Sequence, residues 1–321
     1  MAVTRKLRME EEGGIFHVIN RGNYRSWIFR SEKTKAAFLK CLDQTCEKTG
    51  WRVHAWCLMS NHYHLAVETP RPNLADGMRW LQGAFALRFN RLRKQRGHLF
   101  QGRYKSLIVE PGAGLGSLCH YIHLNAVRAK LCSAKDLAMW PWSSMNWLIH
   151  PKKRPAWHDP FAALEHAGGL KDTGAGRRKY IEYLAWLAEN EPARKEMQFE
   201  TMSAGWAIGS VAFKKELAQE HAVAAAHVPE VQADLAKARE ATWEEFLDRM
   251  LKRLGKSRAD LANEGKSVEW KLAISAALKT HATVTNRWLA ETLHMGNMHE
   301  VSRKVSAWSR RPATSLSKKL Q

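Results

Sequence analysis

The sequence predicts an α+β fold followed by an all-α C-terminal region. Three observations predict it: strand-like apolar or β-branched segments, helical spacing between them, and only helical spacing beyond a stretch rich in proline and lysine at 151–160. The order strand, helix, strand, strand, helix, strand, helix is that of a split βαββαβ unit. Such a unit forms an antiparallel sheet with helices on one face, and here one more helix is appended.

Local signals place each element. Ser31 is a plausible cap for the first helix and Gly50 ends it, while Asn73 is a plausible cap for the second. The Ser60-Asn61 pair can make the tight turn of a hairpin. The predicted strands are 15–20, 51–59, 62–69 and 105–110, and the predicted helices are 32–48, 73–96, 117–130, 177–190, 211–221, 228–254 and 267–280.

These elements predict four parts of the chain. Residues 1–150 form the α+β domain and 151–160 a linker. Residues 161–280 form a helical region whose role the sequence does not reveal, and 281–321 a segment that resembles a helix-turn-helix.

The charge of the chain indicates a polyanionic partner. Its 51 lysines and arginines exceed its 31 acidic residues by 20. Binding to phosphates releases counterions, so nucleic acid is the expected partner, with a merely soluble basic surface as the alternative. No segment pairs a basic face with a strongly apolar one, so a membrane partner is not expected.

The apolar runs and the cysteines indicate the cellular compartment and the state of the thiols. No run approaches the roughly 20 apolar residues that cross a bilayer, and the charged N-terminus lacks the apolar stretch of a secretory signal. We therefore expect a cytoplasmic, nucleoid-associated protein. The five cysteines include no CxxC pair, so we expect reduced thiols rather than a disulfide framework or zinc knuckle.

His62 and His64 lie two residues apart on a predicted strand. This spacing puts both imidazoles on one face of the sheet, where they can share a divalent metal ion. An HxH pair is a weak signal in a chain with 15 histidines, and a structural pair is the alternative.

Tyr121 and Asn125 add weight to the metal hypothesis. They lie four residues apart on a predicted helix and so share a face, where Asn125 offers a carbonyl oxygen and Tyr121 a phenolic oxygen. A phenol titrates near ~10, and a nearby cation can favour the phenolate and polarise a phosphodiester. In-line attack would join a 5′ phosphate to Tyr121 and free a 3′ hydroxyl.

Several ordered strings carry a family resemblance. They are HVINRGN, CLMSNHYHLAVETPRPNL, GHLFQGRYKSLIVE, YIHLNAVRA and the later WPWSS. Together they resemble a REP-associated tyrosine transposase, one of the HUH single-tyrosine transposases of small insertion sequences. The resemblance covers roughly residues 5–148 and implies a ferredoxin-like HUH nuclease domain.

The resemblance also implies roles for individual residues. It makes His62 and His64 ligands of Mg²⁺ or Mn²⁺, Asn125 the third, polar ligand and Tyr121 the nucleophile. It implies a substrate of short palindromic DNA hairpins with a guide sequence at the foot. Alanine stands at position 126, where the family usually has proline.

Basic residues beside these motifs are candidate DNA contacts. The densest basic stretch is interleaved with aromatic residues, as in proteins that contact phosphates and stack bases. A solvated helix end and a plain β-turn are the alternatives. The candidates are Arg88, Arg91, Arg93, Lys94, Arg96, Arg103 and Lys105, with Arg21 and Asn23 in the turn after the first strand.

The glycine-rich segment 112–116 superficially resembles a dinucleotide loop. Ser117 stands where the third glycine of GxGxxG should be, so we interpret the segment as a flexible lead that could let Tyr121 move between two DNA ends. Glu68 shares the strand face of His64 but lies too far along the strand to be expected as a ligand.

Near the C-terminus, residues 284–308 predict two short helices about a turn at Gly296. Ser302, Arg303 and Lys304 would face outward on the second helix and contact duplex or hairpin DNA, as in a helix-turn-helix. A helical appendage without a DNA contact is the alternative.

These observations favour a metal-dependent endonuclease and strand transferase for single-stranded and hairpin DNA, with duplex DNA as a further partner of the C-terminal segment. It would act as a monomer or homodimer. A regulator that binds such DNA without cutting it is one alternative, and a rolling-circle initiator or relaxase is another. The regulator would not need to keep the two histidines together with Tyr121 and Asn125.

Overall fold

The structure is a computed structural model that describes residues 10–220, 229–282, 284–310 and 315–320. Two compact units divide the chain between residues 232 and 233. The predicted boundaries at 150, 160 and 280 stay predictions. Several predicted positions lie outside the described residues. They are the helix ends at 221 and 228, the start of the resemblance at 5, and positions 283, 311–314 and 321 of the C-terminal segment.

A five-stranded sheet forms the centre of the first unit, with the order β2-β3-β1-β4-β5. The first four strands pair antiparallel, and β5 pairs parallel to β4. A hydrogen bond of 2.9 Å from the Met59 amide to the His62 carbonyl closes the predicted hairpin between β2 and β3. The strands are β1 Gly14–Arg21, β2 Arg52–Leu58, β3 His62–Thr69, β4 Lys105–Val109 and β5 Ala207–Ile208.

Helices α1 (Glu32–Thr49) and α2 (Leu74–Arg93) cover one face of the sheet. Phe38 of α1 lies 4.8 Å, ring centre to ring centre, from Tyr63 of β3, and 5.1 Å from Phe85 of α2. Period two in β3 turns Tyr63 to this face and its neighbours, the histidines, to the other. The Ser31 side chain caps α1 by accepting a hydrogen bond from the Thr34 amide, and Gly50 ends it, as predicted.

Helix α3 (Ala113–His123) packs on the opposite face of the sheet, in one apolar core with Ala55, Cys57 and Ala66. It begins four residues before the predicted start, so the interpretation of 112–116 as a flexible lead is wrong. Gly114 and Gly116 are buried helical residues. Because Gly116 has no side chain, His166 can pack directly against α3. Helix α3 ends at His123, so the helix predicted over 117–130 is divided into two helices.

The short helix α4 (Asn125–Arg128) follows α3 after Leu124. Tyr121 and Asn125 therefore belong to consecutive helices rather than to one continuous helix. The hydrogen bond of 2.9 Å from the Leu124 amide to the His120 carbonyl keeps the two helices in close succession.

Residues beyond 150 add further contacts to the first unit. The Val53 amide donates to the Trp157 carbonyl over 2.9 Å, so this part of the chain runs beside β2. The predicted all-helical pattern is interrupted at Ala207–Ile208, which extends the sheet. The helices of this part are α5 Met145–Ile149, α6 Phe161–His166, α7 Gly174–Glu189, α8 Glu191–Glu196 and α9 Val211–Glu220, and short 3-10 helices occupy Asn23–Arg25, Leu137–Met139 and Pro151–Lys153.

The regular elements described in the second unit are all helices. Leu247, Ile274, Leu289 and Val305 lie in its apolar core, contributed by four different helices. The helices are Pro229–Leu254, Arg258–Asn263, Glu269–Ala282, Asn286–Thr292, Met298–Ser309 and Ser315–Leu320. The two helices about Gly296 are therefore present as predicted.

The predicted fold class, an α+β domain followed by a helical C-terminal region, is confirmed. The difference is the covering of the sheet, since α3 fills the face opposite α1 and α2. No helix in the described ranges combines the length and apolarity that a bilayer crossing requires.

Gly116 gives the first test of this packing. A Cβ at this position would lie 2.2 Å from the Cβ and 2.3 Å from the Cγ of His166. We expect Gly116→Ala to lower the free energy of unfolding of the first unit by about 1–3 kcal/mol, as overpacking does. Gly83 of α2 is the matched control, because a Cβ there would meet no atom within 4 Å. Gly83→Ala should be neutral or stabilising in the same urea titration, and equal effects of the two changes would contradict the assigned packing.

His158 gives a pH test. Burial lowers the pKa of this imidazole from 6.5 to about 4, against the opposing effect of its hydrogen bond to the Val53 carbonyl. A group with a lowered pKa binds its proton more readily in the unfolded chain, so its stabilising effect is complete above pH 6.5 and is lost as the pH falls towards 4. The loss should be roughly 3 kcal/mol.

His158→Asn keeps a donor for the Val53 carbonyl and removes the titration. Urea unfolding at a series of pH values should show a shallower acid destabilisation for this variant than for the unchanged protein. Parallel pH profiles would contradict the assignment of a neutral, buried His158.

Candidate active site

His62 and His64 open strand β3 and point to the face that α3 covers. His64 pairs in register with Ile19 of β1 and Cys57 of β2. Its side chain is buried, whereas His62 is partly exposed at the end of the strand. The two ring centres lie 5.0 Å apart. The structure therefore brings the predicted histidine pair together at the edge of a buried face.

A third histidine orients His64. The Nδ1 atom of His17 in β1 lies 2.7 Å from the Met202 carbonyl oxygen, and its Nε2 atom lies 2.9 Å from His64 Nδ1. A carbonyl only accepts, so the proton of His17 is on Nδ1 and its Nε2 is an acceptor. His64 Nδ1 must then donate, which leaves the lone pair of His64 on Nε2.

The same reasoning applies to His62. Asn61 donates from Nδ2 to the Arg25 carbonyl over 3.2 Å, which fixes the orientation of its amide. The Asn61 Oδ1 atom lies 2.7 Å from His62 Nδ1, so Nδ1 donates and the lone pair of His62 is on Nε2. Neither Nε2 atom of the pair hydrogen-bonds to another residue within the part of the chain that the structure describes.

Burial keeps these imidazoles neutral. It lowers the pKa of His17 to about 4 and that of His64 well below its usual value, with further lowering of the His64 pKa by His17, His62 and Arg128. Burial and the charge of Arg21 also lower the pKa of His62. Neutral imidazoles with free lone pairs are the form in which histidine binds metal ions.

Tyr121 lies against this cluster from α3. Its ring centre is 5.8 Å from that of His64 and 6.0 Å from that of His17. The hydroxyl is 2.9 Å from the Ser203 hydroxyl, and the Phe199 ring packs edge-on at 5.6 Å. The phenol is therefore beside the histidines and held by residues that follow it in sequence by about 80 positions.

Asn125 and Arg128 complete the wall beside Tyr121. Arg128 donates to Asn125 Oδ1 over 3.2 Å, and its guanidinium carbon lies 4.5 Å from the centre of the Tyr121 ring. Asn125 Nδ2 is buried without a hydrogen-bond partner among the described residues. Its Oδ1 keeps one lone pair beyond the bond to Arg128.

This donor set fits a divalent cation. Two neutral imidazoles with free Nε2 atoms and one amide oxygen are nitrogen and oxygen ligands of the kind that Mn²⁺ accepts, and Mg²⁺ accepts the oxygen readily. Within the described residues, no group of three or more His, Cys, Asp or Glu side chains could hold a metal ion. The candidate centre would therefore rest on two imidazoles, an amide and ligands from outside the protein.

Most of the predicted DNA contacts surround one end of the sheet. Arg21 is in register with His62 at the end of β1. Arg88 is turned towards α1, where it donates to Gln44 over 2.7 Å, and Lys105 donates to the Ser203 carbonyl over 2.8 Å. Asn23 is half-buried in the turn after β1. The remaining members of the group are exposed: Arg91, Arg93, Lys94, Arg96 and Arg103.

The predicted C-terminal contacts belong to the second unit. Arg303 is exposed on the helix Met298–Ser309, and Ser302 is half-buried. Lys304 donates to the Ser267 hydroxyl over 2.8 Å. The buried Val301 and Val305 turn the opposite side of this helix into the core, as predicted.

Sequence reasoning missed several residues of the site. His17 could have been found, because it is a histidine in a predicted strand and shares a strand face with Ile19, which pairs with His64. Arg128 could have been found from its position three residues after Asn125. Met202 and Ser203 carry no local signal that would connect them with residues about 80 to 185 positions earlier.

Comparison with known proteins agrees with this geometry. Residues 12–125 match the family model described as "Transposase IS200 like". This segment contains the sheet strands β1 to β4, the histidine pair and Tyr121. The resemblance predicted from the sequence strings is thereby confirmed over these residues.

Solved structures give weaker likenesses. A REP-associated tyrosine transposase bound to a REP hairpin is 17% identical, with 48% of this chain and 89% of that chain covered and a TM-score of 0.40. A candidate transposase from Deinococcus radiodurans R1 is 20% identical, with 41% and 92% covered and a TM-score of 0.27. The search of curated proteins found no match.

Proposed function

We propose that the chain is a metal-dependent single-strand DNA endonuclease and strand transferase that cleaves at palindromic hairpins, with Tyr121 as the nucleophile. The observation that carries this proposal is the position of the Tyr121 phenol beside the pair of His64 and His62, whose Nε2 atoms have no hydrogen-bond partner among the described residues. The match to IS200-like transposases supports DNA as the substrate.

His62 Nε2, His64 Nε2 and Asn125 Oδ1 would hold Mg²⁺ or Mn²⁺. When bound, the ion supplies Lewis-acid polarisation of a phosphodiester oxygen. His17 fixes the ring of His64, and Asn61 fixes that of His62, so both donors are oriented before an ion arrives. Arg128 provides a fixed positive charge beside the Tyr121 ring, where a phosphate would sit.

The reaction exchanges one phosphate ester for another. The Tyr121 oxygen attacks phosphorus in line, the new bond joins it to the 5′ phosphate, and the bond from phosphorus to the 3′ oxygen breaks. The phenolic proton is lost to solvent, and the departing 3′ oxygen takes up a proton. Attack by a 3′ hydroxyl on the phosphotyrosine reverses these steps, so strand joining needs no nucleotide cofactor.

DNA would approach along the exposed cations near His62. Arg21 is in register with that histidine, and the exposed arginines at the end of α2 continue the positive surface. Arg303 in the second unit is our candidate for a separate duplex contact. The hairpin substrate rests on the resemblance of the sequence strings to REP-associated transposases.

Replacement of the nucleophile tests the reaction. Tyr121→Phe removes only the hydroxyl, so we expect it to abolish the covalent adduct between protein and DNA, with loss of at least about a thousandfold in nicking rate. The measurement uses a labelled single-stranded hairpin with Mn²⁺, and denaturing electrophoresis separates the adduct from free DNA.

Tyr183→Phe is the matched control. Its ring packs against His120 and Tyr180, contacts that phenylalanine keeps. The control should form the adduct at the unchanged rate. Cleavage that persists in Tyr121→Phe would overturn the nucleophile, and DNA binding without any cleavage in the unchanged protein would favour a regulator.

Replacement of His17 tests the metal site by a measurement that does not require cleavage of DNA. We expect His17→Phe to lower Mn²⁺ affinity about 10- to 100-fold, because His64 loses the acceptor that fixes its proton on Nδ1. His17→Gln should keep most of the affinity, since its amide can donate to the Met202 carbonyl and accept from His64. Electron paramagnetic resonance of free Mn²⁺ gives the affinity, and circular dichroism verifies folding.

The comparison between the two variants separates orientation from simple damage. A folded His17→Phe protein with unchanged Mn²⁺ affinity would contradict the orienting role of His17. Equal losses in the phenylalanine and glutamine variants would mean that the imidazole itself, rather than its hydrogen bonds, is required.

A further inference from the structure

A cavity of about 640 Å³ lies beside the sheet, away from Tyr121 and the histidine pair. It opens between the segment that follows β1 and the end of α2 with the loop after it. This volume lies within the roughly 300–1,000 Å³ of small-molecule sites. Its lining includes Ser26, Trp27, Arg30, Phe89, Arg93 and Arg96.

Hydrogen bonds hold both walls of the cavity in place. The Asn23 amide donates to the Leu99 carbonyl over 2.8 Å, which ties the segment after β1 to the loop after α2. Asn90 of α2 donates from its side chain to the Gly97 carbonyl over 3.2 Å. The segments that line the cavity are therefore connected to each other by hydrogen bonds.

The cavity is positively charged, and no carboxylate among the described residues compensates this charge. Arg30, Arg93 and Arg96 are exposed, and none of them forms an ion pair with a described carboxylate. The described residues that line the cavity include no Asp or Glu. Three guanidinium groups around one cavity, without an ion-pair partner among the described residues, are suited to phosphate oxygens.

An exposed aromatic ring stands among these cations. The Trp27 side chain is 61% exposed, and the guanidinium carbon of Arg30 lies 6.0 Å from its ring centre. Tyr24, three residues earlier, is 91% exposed. Large exposed rings beside arginines form the stacking surfaces on which proteins hold unpaired bases.

The cavity is also linked to the end of the sheet that carries His62. The Gly22 amide donates to the Asn61 carbonyl over 2.8 Å, and Arg21 is in register with His62. Gly22 also bridges to Phe100 in the loop that forms the cavity wall. A DNA strand bound near the histidines could therefore continue along the segment after β1 to Trp27.

We propose that this cavity binds an unpaired nucleotide of single-stranded DNA, with the base stacked on Trp27 and the adjoining phosphates on Arg30, Arg93 and Arg96. It is a second binding site, separate from the site of cleavage. The proposal shares with the proposed function only the premise that DNA is the partner, and it requires neither a metal ion nor a reaction of Tyr121.

The test compares two strands with the same phosphates. One is fluorescein-labelled dT12 and the other is a strand of equal length built from abasic spacers, each measured by anisotropy in the presence of EDTA. All proteins carry Tyr121→Phe, so no strand is cut. The variants are Trp27→Ala and, as a matched control, Trp186→Ala, which removes a 50% exposed indole from α7.

We expect Trp27→Ala to weaken binding of dT12 by about tenfold and to leave binding of the abasic strand unchanged, because only dT12 has a base to stack on the indole. Trp186→Ala should change neither affinity. Arg30→Ala and Arg93→Ala should weaken binding of both strands and reduce the salt dependence, as expected for phosphate contacts.

Unchanged dT12 binding in Trp27→Ala would overturn the proposal. Equal weakening of both strands would also overturn it, because the cavity would then bind phosphates without a base. Since the measurement needs no cleavage, a failed adduct assay leaves this result intact, and a failed stacking assay leaves the Tyr121 reaction intact.

Discussion

The hydrogen-bonded chain from the Met202 carbonyl through His17 to His64 is the constraint on which the candidate site depends. Its direction is set by the carbonyl, which can only accept, and its protonation by burial, which lowers the pKa of His17 to about 4. A charged His17 would carry protons on both nitrogens and could no longer accept from His64. Burial therefore decides which nitrogen of His64 is free.

This series of hydrogen bonds makes residues outside the segment that matches the family model part of the site. The family match ends at residue 125, yet Met202 orients His17, and Ser203 holds the Tyr121 hydroxyl. Strand β5 explains how these residues arrive there, since Ala207–Ile208 pairs with β4 and fixes the end of the preceding segment. The extension of the sheet by one short strand thus also builds one wall of the site.

The sequence predicts features that depend on neighbouring residues better than features that depend on contacts between residues far apart in the chain. Period two in β3 correctly separates His62 and His64 from Tyr63, because neighbours in a strand point to opposite faces. The start of α3 is missed because glycine disfavours helices, and the tertiary fit of Gly116 against His166 overrides that preference. The contacts of Met202 and Ser203 depend on the whole fold, and no local pattern encodes them.

The positive charge of Arg128 lies close to Asn125 and His64, two of the candidate metal ligands, and would repel a bound cation. Its effect on His64 is nonetheless favourable, because the same charge lowers the pKa of His64 and so favours the neutral, ligating form. A bound phosphodiester would bring a negative charge between Arg128 and the ion and so offset their repulsion. Substrate and metal binding should therefore reinforce each other: DNA raises the affinity for the ion, and by linkage the ion raises the affinity for DNA by the same factor.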